Sequence, residues 1–232
     1  MDNLSDKSIS FDKNGYCNYC NDIEHRIQRE YFPNDNKKLK ALVKKIKQDC
    51  KYDKYDCMVG VSGGIDSSYI IYLGYKFGLR MLAVHIDDGL DNPVAVNNLK
   101  KLTEKTNIDY VTVKPDKQEY ADIIYSLLKA SVSNLAISQD NLILKALQDY
   151  GEKNDIKYSL DGANFAHESI LERGNRPINP ADRKFILSVQ KRFGRIPVSK
   201  LEFMSLTDRY VKRHQSFYHF RPLNYINYNI VR

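Results

Sequence analysis

The feature that most constrains this chain is a glycine-containing turn between an apolar run and a helix-like stretch. Residues 57–61 predict a buried strand, residues 69–77 predict a helix, and Ser-Gly-Gly-Ile-Asp-Ser stands between them. Glycines let the backbone approach a phosphate closely, and a helix N-terminus favours its negative charge. The turn lacks the Gly-Lys-Ser/Thr ending of the Walker loop. It therefore predicts another type of phosphate cradle, or else a plain turn in which Ser62 or Asp66 caps the helix.

Strand-like and helix-like segments alternate along the rest of the chain. Three further strands are predicted, at residues 81–86, 110–113 and 157–160. Helices are predicted at residues 93–106, 120–130 and 141–152, the last of them capped by Asp140. This alternation predicts an α/β fold with a doubly wound parallel sheet. In such a sheet ligands bind at the carboxyl ends of the strands, where polar clusters stand in this chain.

Composition divides the chain into three predicted parts. Residues 1–35 form a cysteine-containing leader, residues 36–172 the α/β domain with the predicted phosphate cradle, and residues 173–232 a basic helical segment. From Glu172 to Arg232 there are 13 Lys or Arg and 4 Asp or Glu, an excess that suits an anionic ligand or simply a solvated surface. Because the chain shows neither a membrane-spanning apolar run nor a signal-peptide pattern, we expect a cytoplasmic protein without a membrane partner.

The cysteines bear on metal binding. Cys17 and Cys20 have the spacing of zinc ligands, but a structural zinc site needs about four ligands. Cys50 and His25 are candidates for a third ligand, whereas Cys57 opens the first strand and is typical of a small buried hydrophobe. The pair is therefore half of a zinc site.

Several segments together resemble the N-acetyl sugar amidotransferases, which are PP-loop ATP pyrophosphatases of lipopolysaccharide and surface-glycan biosynthesis. The turn itself resembles the PP-loop. The finer resemblance is carried by residues 9–17, 60–68, 82–89, 95–99, 161–166, 191–194 and 222–226. The chain departs from the family in lacking another cysteine pair ahead of Cys17. Family members also continue past residues 224–229, so we expect a truncated or shortened homologue.

The resemblance implies an adenine nucleotide alpha hydrolase-like fold and an ATP-dependent reaction. AMP is transferred to the acetamido oxygen of a sugar, pyrophosphate leaves, and ammonia displaces AMP to give an acetamidino group. The expected substrate is a nucleotide-linked N-acetyl sugar. Ammonia is expected from a partner glutaminase with its synthase-like subunit, and ATP with Mg²⁺ is the expected cofactor.

The resemblance also implies roles for single residues. Its catalytic candidates are Asp66, Asn164 and Glu168, and the carboxylates of Asp66 and Glu168 are the candidate Mg²⁺ ligands. The residues expected to contact ATP are Val61, Ser62, Gly63, Gly64, Asp66, Ser67, His85, Ile86, Asp87 and Gly162. Alternatives remain open, because His85 lies in an apolar run typical of a core histidine and Asp87 stands in a turn.

Two other functions are compatible with the same loop. A tRNA-modifying PP-loop thiolase would adenylate a base carbonyl, insert sulfur and bind nucleic acid through the basic segment. No cysteine follows Cys57, so a late sulfur-relay cysteine is missing, although cluster-based sulfur transfer needs none. The second alternative is a catalytically silent nucleotide-binding module, against which the intact loop argues.

Overall fold

The structure is a computed structural model of the 232-residue chain. It describes residues 2–4, 6–169, 179–210 and 217–231. Parts of the predicted basic segment, at residues 173–178, 211–216 and 232, lie outside the described residues.

Five strands form one parallel sheet. They are β1 (Cys57–Gly60), β2 (Met81–Ile86), β3 (Asp109–Val113), β4 (Tyr158–Leu160) and β5 (Tyr218–Phe220). Their order is β3-β2-β1-β4-β5, and every neighbouring pair is parallel. The four predicted strands are confirmed as β1 to β4, whereas no sequence pattern indicated β5.

Helices connect the strands and flank the sheet. They are α1 (Asn18–Glu30), α2 (Asn36–Asp49), α3 (Ile65–Phe77), α4 (Pro93–Thr106), α5 (Lys117–Lys129), α6 (Ile137–Lys153), α7 (Phe165–Glu168), α8 (Arg183–Phe193) and α9 (Leu206–Tyr210). Two 3₁₀ turns follow β5, at Pro222–Tyr225 and Tyr228–Ile230. The expected cap of α6 is wrong, because Ala136 precedes the helix and Asp140 lies in its first turn. Among the described residues no helix is long and apolar enough to cross a membrane.

The helices pack on both faces of the sheet, as a doubly wound fold requires. Alternate residues of a strand point to opposite faces. Cys57 and Val59 lie in one buried cluster with residues of α2, α3 and α4. Met58 lies in a second cluster with residues of α5, α6 and α8. Burial on both faces explains why the central strands are continuous apolar runs.

The end of α1 packs against the carboxyl-terminal side of the sheet. Tyr31 stacks on Phe165 of α7, with ring centroids 5.8 Å apart. Phe32 stacks on Tyr225 at 5.5 Å, and its amide donates a hydrogen bond of 2.8 Å to the carbonyl of Asn224. These contacts fix α1 beside the strand ends. The predicted three-part division of the chain stays a prediction.

Candidate functional site

The sheet has its switch point between β1 and β4. From β1 the chain moves to β2 and β3 on one side, and then returns to place β4 and β5 on the other. The loops that leave β1 and β4 therefore diverge, and the gap between them is the usual ligand site of such sheets. Residues 62–67, here called the phosphate loop, follow β1 directly.

Serine hydroxyls hold the phosphate loop together from within. The Oγ of Ser67 accepts a hydrogen bond from the Ser62 amide at 3.3 Å and donates one to the Gly64 carbonyl at 3.2 Å. The Oγ of Ser62 accepts from the Gly64 amide at 3.3 Å. The Val61 amide donates to the Val84 carbonyl at 2.9 Å, which ties the loop to β2. Both hydroxyls expected to contact ATP thus have partners within the loop.

Helix α3 begins inside the phosphate loop without a side-chain cap. Gly64 is the N-cap residue and Asp66 lies in the first turn, so capping by Ser62 or Asp66 is wrong. Asp66 instead accepts a hydrogen bond from the hydroxyl of Tyr228. The first amides of a helix have no acceptor within it. An uncapped start of α3 therefore offers these amides to a bound anion.

Two glycines are required here for steric reasons. Gly63 has a φ of +75°, and a Cβ at this position would lie 2.8 Å from the carbonyl oxygen of Ala95 in α4. Gly162 follows β4, and a Cβ there would lie 3.2 Å from the amide nitrogen of Ser67. Gly162 therefore leaves an amide at the start of α3 uncovered, whereas Gly63 is needed for the turn and for its packing on α4.

A cavity of about 750 Å³ opens beside the phosphate loop, along the strand ends from β2 to β5. Four predicted ATP contacts line it: Val61, Ser62, His85 and Ile86. Helix α6 supplies an apolar wall, formed by Ile143, Leu144 and Leu147. The volume of the cavity falls in the range of about 300–1,000 Å³ that is usual for small-molecule sites.

The other predicted site residues do not line this cavity. They are Gly63, Gly64, Asp66, Ser67, Asp87, Gly162, Asn164 and Glu168. Asp87 lies 3.0 Å from the Nζ of Lys114, and this hydrogen-bonded ion pair lowers the pKa of its carboxyl. Asn164 caps α7 by accepting from the His167 amide at 3.0 Å. Its buried Nδ2 has no hydrogen-bond partner among the described residues.

His85 is a buried histidine whose Nδ1 is hydrogen-bonded to the main chain. Its Nδ1 lies 2.8 Å from the carbonyl oxygen of Val61, and its Nε2 lies 3.2 Å from the carboxylate of Asp91. A carbonyl oxygen only accepts, so Nδ1 carries the proton in this contact. The ring thereby ties β2 to Val61, the residue directly before the phosphate loop. This arrangement fits the core-histidine alternative, and it leaves only the main chain of His85 to contact a nucleotide.

The carboxyl of Glu168 feels the charges of Asp161 and Asp66, and the charge of Arg221 opposes them. Partial burial raises the pKa of the Glu168 carboxyl, and the charges of Asp161 and Asp66 raise it further. Among the described residues no group of three or more His, Cys, Asp or Glu is arranged to hold a metal. Mg²⁺ bound to a nucleotide needs only one or two protein carboxylates beside phosphate and water oxygens. Asp66 and Glu168 therefore suit that ion in their chemistry.

The predicted zinc pair lies at the start of α1. The Sγ atoms of Cys17 and Cys20 are 3.4 Å apart, and Cys17 caps the helix by accepting from the Cys20 amide. Cys50 lies elsewhere, fully buried in a core cluster, where burial raises the pKa of its thiol to about 11. Neither Cys50 nor His25 joins the pair, and within the described ranges no metal-binding group forms. These residues do not fit a complete zinc site.

Sequence analysis missed several charged groups of the cavity. Arg29 of α1, Arg209 of α9 and Arg221 after β5 all line it. Asp140 lines it as well, and burial raises the pKa of this carboxyl. The excess of basic residues late in the chain was the only available signal, and it does not single out any of these positions.

The comparisons with known proteins identify no family for the chain. No family model matches it. No curated protein matches it. The resemblance to the N-acetyl sugar amidotransferases therefore stays a prediction.

Three solved structures are similar to the chain, each at 17% identity. An NH3-dependent NAD synthetase from Campylobacter jejuni has a TM-score of 0.43 over 67% of this chain and 72% of that one. An NMN synthetase from Francisella tularensis has a TM-score of 0.44 over 75% and 80%. The U34-tRNA thiolase NcsA from Methanococcus maripaludis, with its [4Fe-4S] cluster, has a TM-score of 0.47 over 84% and 61%. Because the identities and TM-scores are this low, the similarity supports no statement about the activity of this chain.

Proposed function

We propose that the chain is an ATP-dependent amidotransferase that adenylates the amide oxygen of an N-acetyl sugar and lets ammonia replace that oxygen. The observation that carries the proposal is the uncapped start of α3 behind a Ser-Gly-Gly turn, at the switch point and beside the cavity. Such a start favours a polyanion. The choice of an acetamido sugar rests on the family resemblance of the segments named above.

In this proposal the first amides of α3 bind the pyrophosphate part of ATP. They stabilise the negative charge that grows on the leaving pyrophosphate, because preorganised N–H dipoles need no rearrangement. The main chain at Ile86 and the apolar wall at Ile143 take the adenine. Asp66 and Glu168 would hold Mg²⁺, which neutralises phosphate charge. The acceptor sugar would occupy the cavity, with its amide held beside the α-phosphate.

The reaction balances without a further co-reactant. The acetamido oxygen forms a bond to the α-phosphorus while the bond to pyrophosphate breaks. Ammonia then attacks the activated carbon, and AMP leaves with the former amide oxygen. Loss of a proton leaves an acetamidino group. We propose that a separate glutaminase with a synthase-like subunit supplies the ammonia.

The placement of the cysteines favours this reaction over sulfur transfer through a cysteine. A relay cysteine must be a reactive, accessible thiolate near the substrate. Cys50 and Cys57 are fully buried, and burial raises the pKa of both thiols. Of the described residues that line the cavity, none is a cysteine. An amidotransferase needs no thiol at this position.

The test supplies ATP, Mg²⁺ and ammonium with a panel of free and nucleotide-linked N-acetyl sugars. AMP and pyrophosphate should form in equal amounts, and the sugar product should be lighter by the difference between O and NH. Asp66→Asn should slow AMP formation. Asp149→Asn, on the exposed side of α6, should leave it unchanged. AMP formation that depends on tRNA would establish the thiolase instead, and ATP binding without AMP formation would indicate a silent module.

A further inference from the structure

Two arginines that are far apart in the sequence line the same cavity. Arg29 lies in the last turn of α1, and Arg209 lies on α9. Both line the cavity, although neither element belongs to the sheet. The cavity is therefore closed in part by segments outside the nucleotide-binding core, and each of them brings a cation.

The position of Arg209 is fixed through α6. The side chain of Asn141 accepts from the Met204 amide at 2.7 Å and donates to its carbonyl at 2.9 Å. Ser205 and Asp208 then cap α9 reciprocally: the Asp208 amide donates to the Ser205 Oγ at 3.0 Å, and the Ser205 amide donates back to the carboxylate at 3.3 Å. Such a capping box holds a short helix start in one geometry. Arg209 is thus carried on an anchored element.

The position of Arg29 is fixed by its neighbours on α1. Arg26 donates two hydrogen bonds to the carboxylate of Glu30, at 2.9 and 3.0 Å. Arg26 also donates to the carbonyl of Ser169 at 3.4 Å and lies over the ring of Phe165 at 5.3 Å. These bonds hold the last turn of α1, and with it Arg29, against the strand-end side of the domain.

In the described part of the chain, the acidic groups around the cavity are not ion-paired with these two arginines. Glu30 is engaged by Arg26, and Asp161 lies 3.5 Å from Arg221. The carboxyl of Asp140 also lines the cavity, with its pKa raised by burial. Among the described residues, no carboxylate forms an ion pair with Arg29 or Arg209. Arg209 lies over the ring of Tyr210, with 5.9 Å between its Cζ and the ring centroid. Guanidinium groups without an ion-pair partner in a concave site favour an anion.

Two separate features for anions thus lie at or beside the cavity. The first is the uncapped start of α3, which suits the phosphates of ATP. The second is the arginine pair. Arg29 is next to Glu30, whose carboxyl feels the charge of Arg221 at the end of β5. Strand β5 is two places from β1, or about 10 Å at the usual strand spacing. The last turn of α1, which carries Arg29, therefore lies nearer to β5 than to β2, where adenine is proposed to bind.

We propose that Arg29 and Arg209 bind a phosphate group of the acceptor, and that they select phosphate-bearing acceptors over neutral sugars. This inference rests on the proposed function, because it assumes that ATP occupies the phosphate loop at the same time. Guanidinium groups bind phosphate through paired, charge-assisted hydrogen bonds. The leader helix is then part of the acceptor site.

The test is a set of calorimetric titrations. The protein is first saturated with α,β-methylene ATP, which cannot be cleaved between its α and β phosphates. N-acetylglucosamine 1-phosphate, UDP-N-acetylglucosamine and uncharged N-acetylglucosamine are then titrated in turn. The variants are Arg29→Gln and Arg209→Gln. The matched control is Arg192→Gln, because Arg192 lies over the ring of Phe193 on α8 and does not line the cavity. Thermal melts check that each variant folds.

Each arginine variant should bind the phosphate-bearing probes about tenfold or more weakly than the wild type does. This is the loss expected when a hydrogen bond to a charged group is removed. The affinity for the ATP analogue should stay unchanged, and the control should match the wild type. An equal loss of analogue binding would show that the arginines hold ATP, which overturns the inference. So would unchanged probe binding in either variant, or a loaded protein that binds neither phosphate probe. A wild-type protein that does not bind the analogue would refute the proposed function itself.

Discussion

Replacing Gly63 with alanine tests how the phosphate loop is built. Its φ of +75° is strained for any residue with a Cβ, at a cost of about 1–2 kcal/mol. The new Cβ would also lie 2.8 Å from the Ala95 carbonyl oxygen, a backbone atom that cannot rotate away, and such overpacking costs about 1–3 kcal/mol. The free energy of unfolding in urea should therefore fall by about 2–5 kcal/mol.

Gly89 provides the matched control. Its φ is +82°, but nothing lies within 4 Å of the position of a Cβ. Gly89→Ala should therefore lower the free energy of unfolding only by the cost of the backbone conformation, about 1–2 kcal/mol. Equal losses in the two variants would refute the packing of the loop against α4. A larger side chain at position 63, as in Gly63→Val, would also destabilise the fold, so that variant cannot test nucleotide binding alone.

Three further predictions use other parts of the structure. Burial raises the pKa of the Asp140 carboxyl in the folded state. The protonated carboxyl therefore contributes to stability at low pH, and this contribution is lost as the pH rises through the raised pKa. Asp140→Asn should therefore melt above the wild type near neutral pH, with an advantage that shrinks on acidification; a constant difference would contradict this. In peptide mass spectrometry the exposed Cys20 should react with iodoacetamide in the native protein, whereas the buried Cys50 should react only after unfolding; equal rates would exclude the placement. Tyr228→Phe removes the hydrogen bond to Asp66 and should lower the free energy of unfolding by about 1–3 kcal/mol, and an unchanged urea midpoint would argue that the bond is absent.

The central part of the fold is predictable because its signals are local. Strands β1 and β2 are buried on both faces, so their sequences are continuous apolar runs. Pro93 marks the start of α4 in the sequence and in the structure. Strand β5 has only three residues, most of them exposed, and it exists because it pairs with β4. No residue pattern could indicate that pairing.

The candidate site is predictable only where its residues are contiguous. The phosphate loop combines strand, glycine turn and helix start within one short segment. Arg29 and Arg209 line the same cavity only because α1 and α9 dock beside it, so their proposed joint role has no signal in the sequence. The hydroxyl of Ser67 shows another limit, because a sequence cannot distinguish a hydroxyl that awaits a ligand from one that closes its own loop.

The most direct test of the proposed reaction follows the acetamido oxygen. An N-acetyl sugar whose carbonyl carries a heavy isotope of oxygen is incubated with the protein, ATP, Mg²⁺ and ammonium, and the nucleotide products are analysed by mass spectrometry. Adenylation of the amide transfers that oxygen to AMP, so the AMP should carry the label and the pyrophosphate should not. Unlabelled AMP, or ADP with labelled phosphate, would contradict attack of the amide oxygen on the α-phosphate.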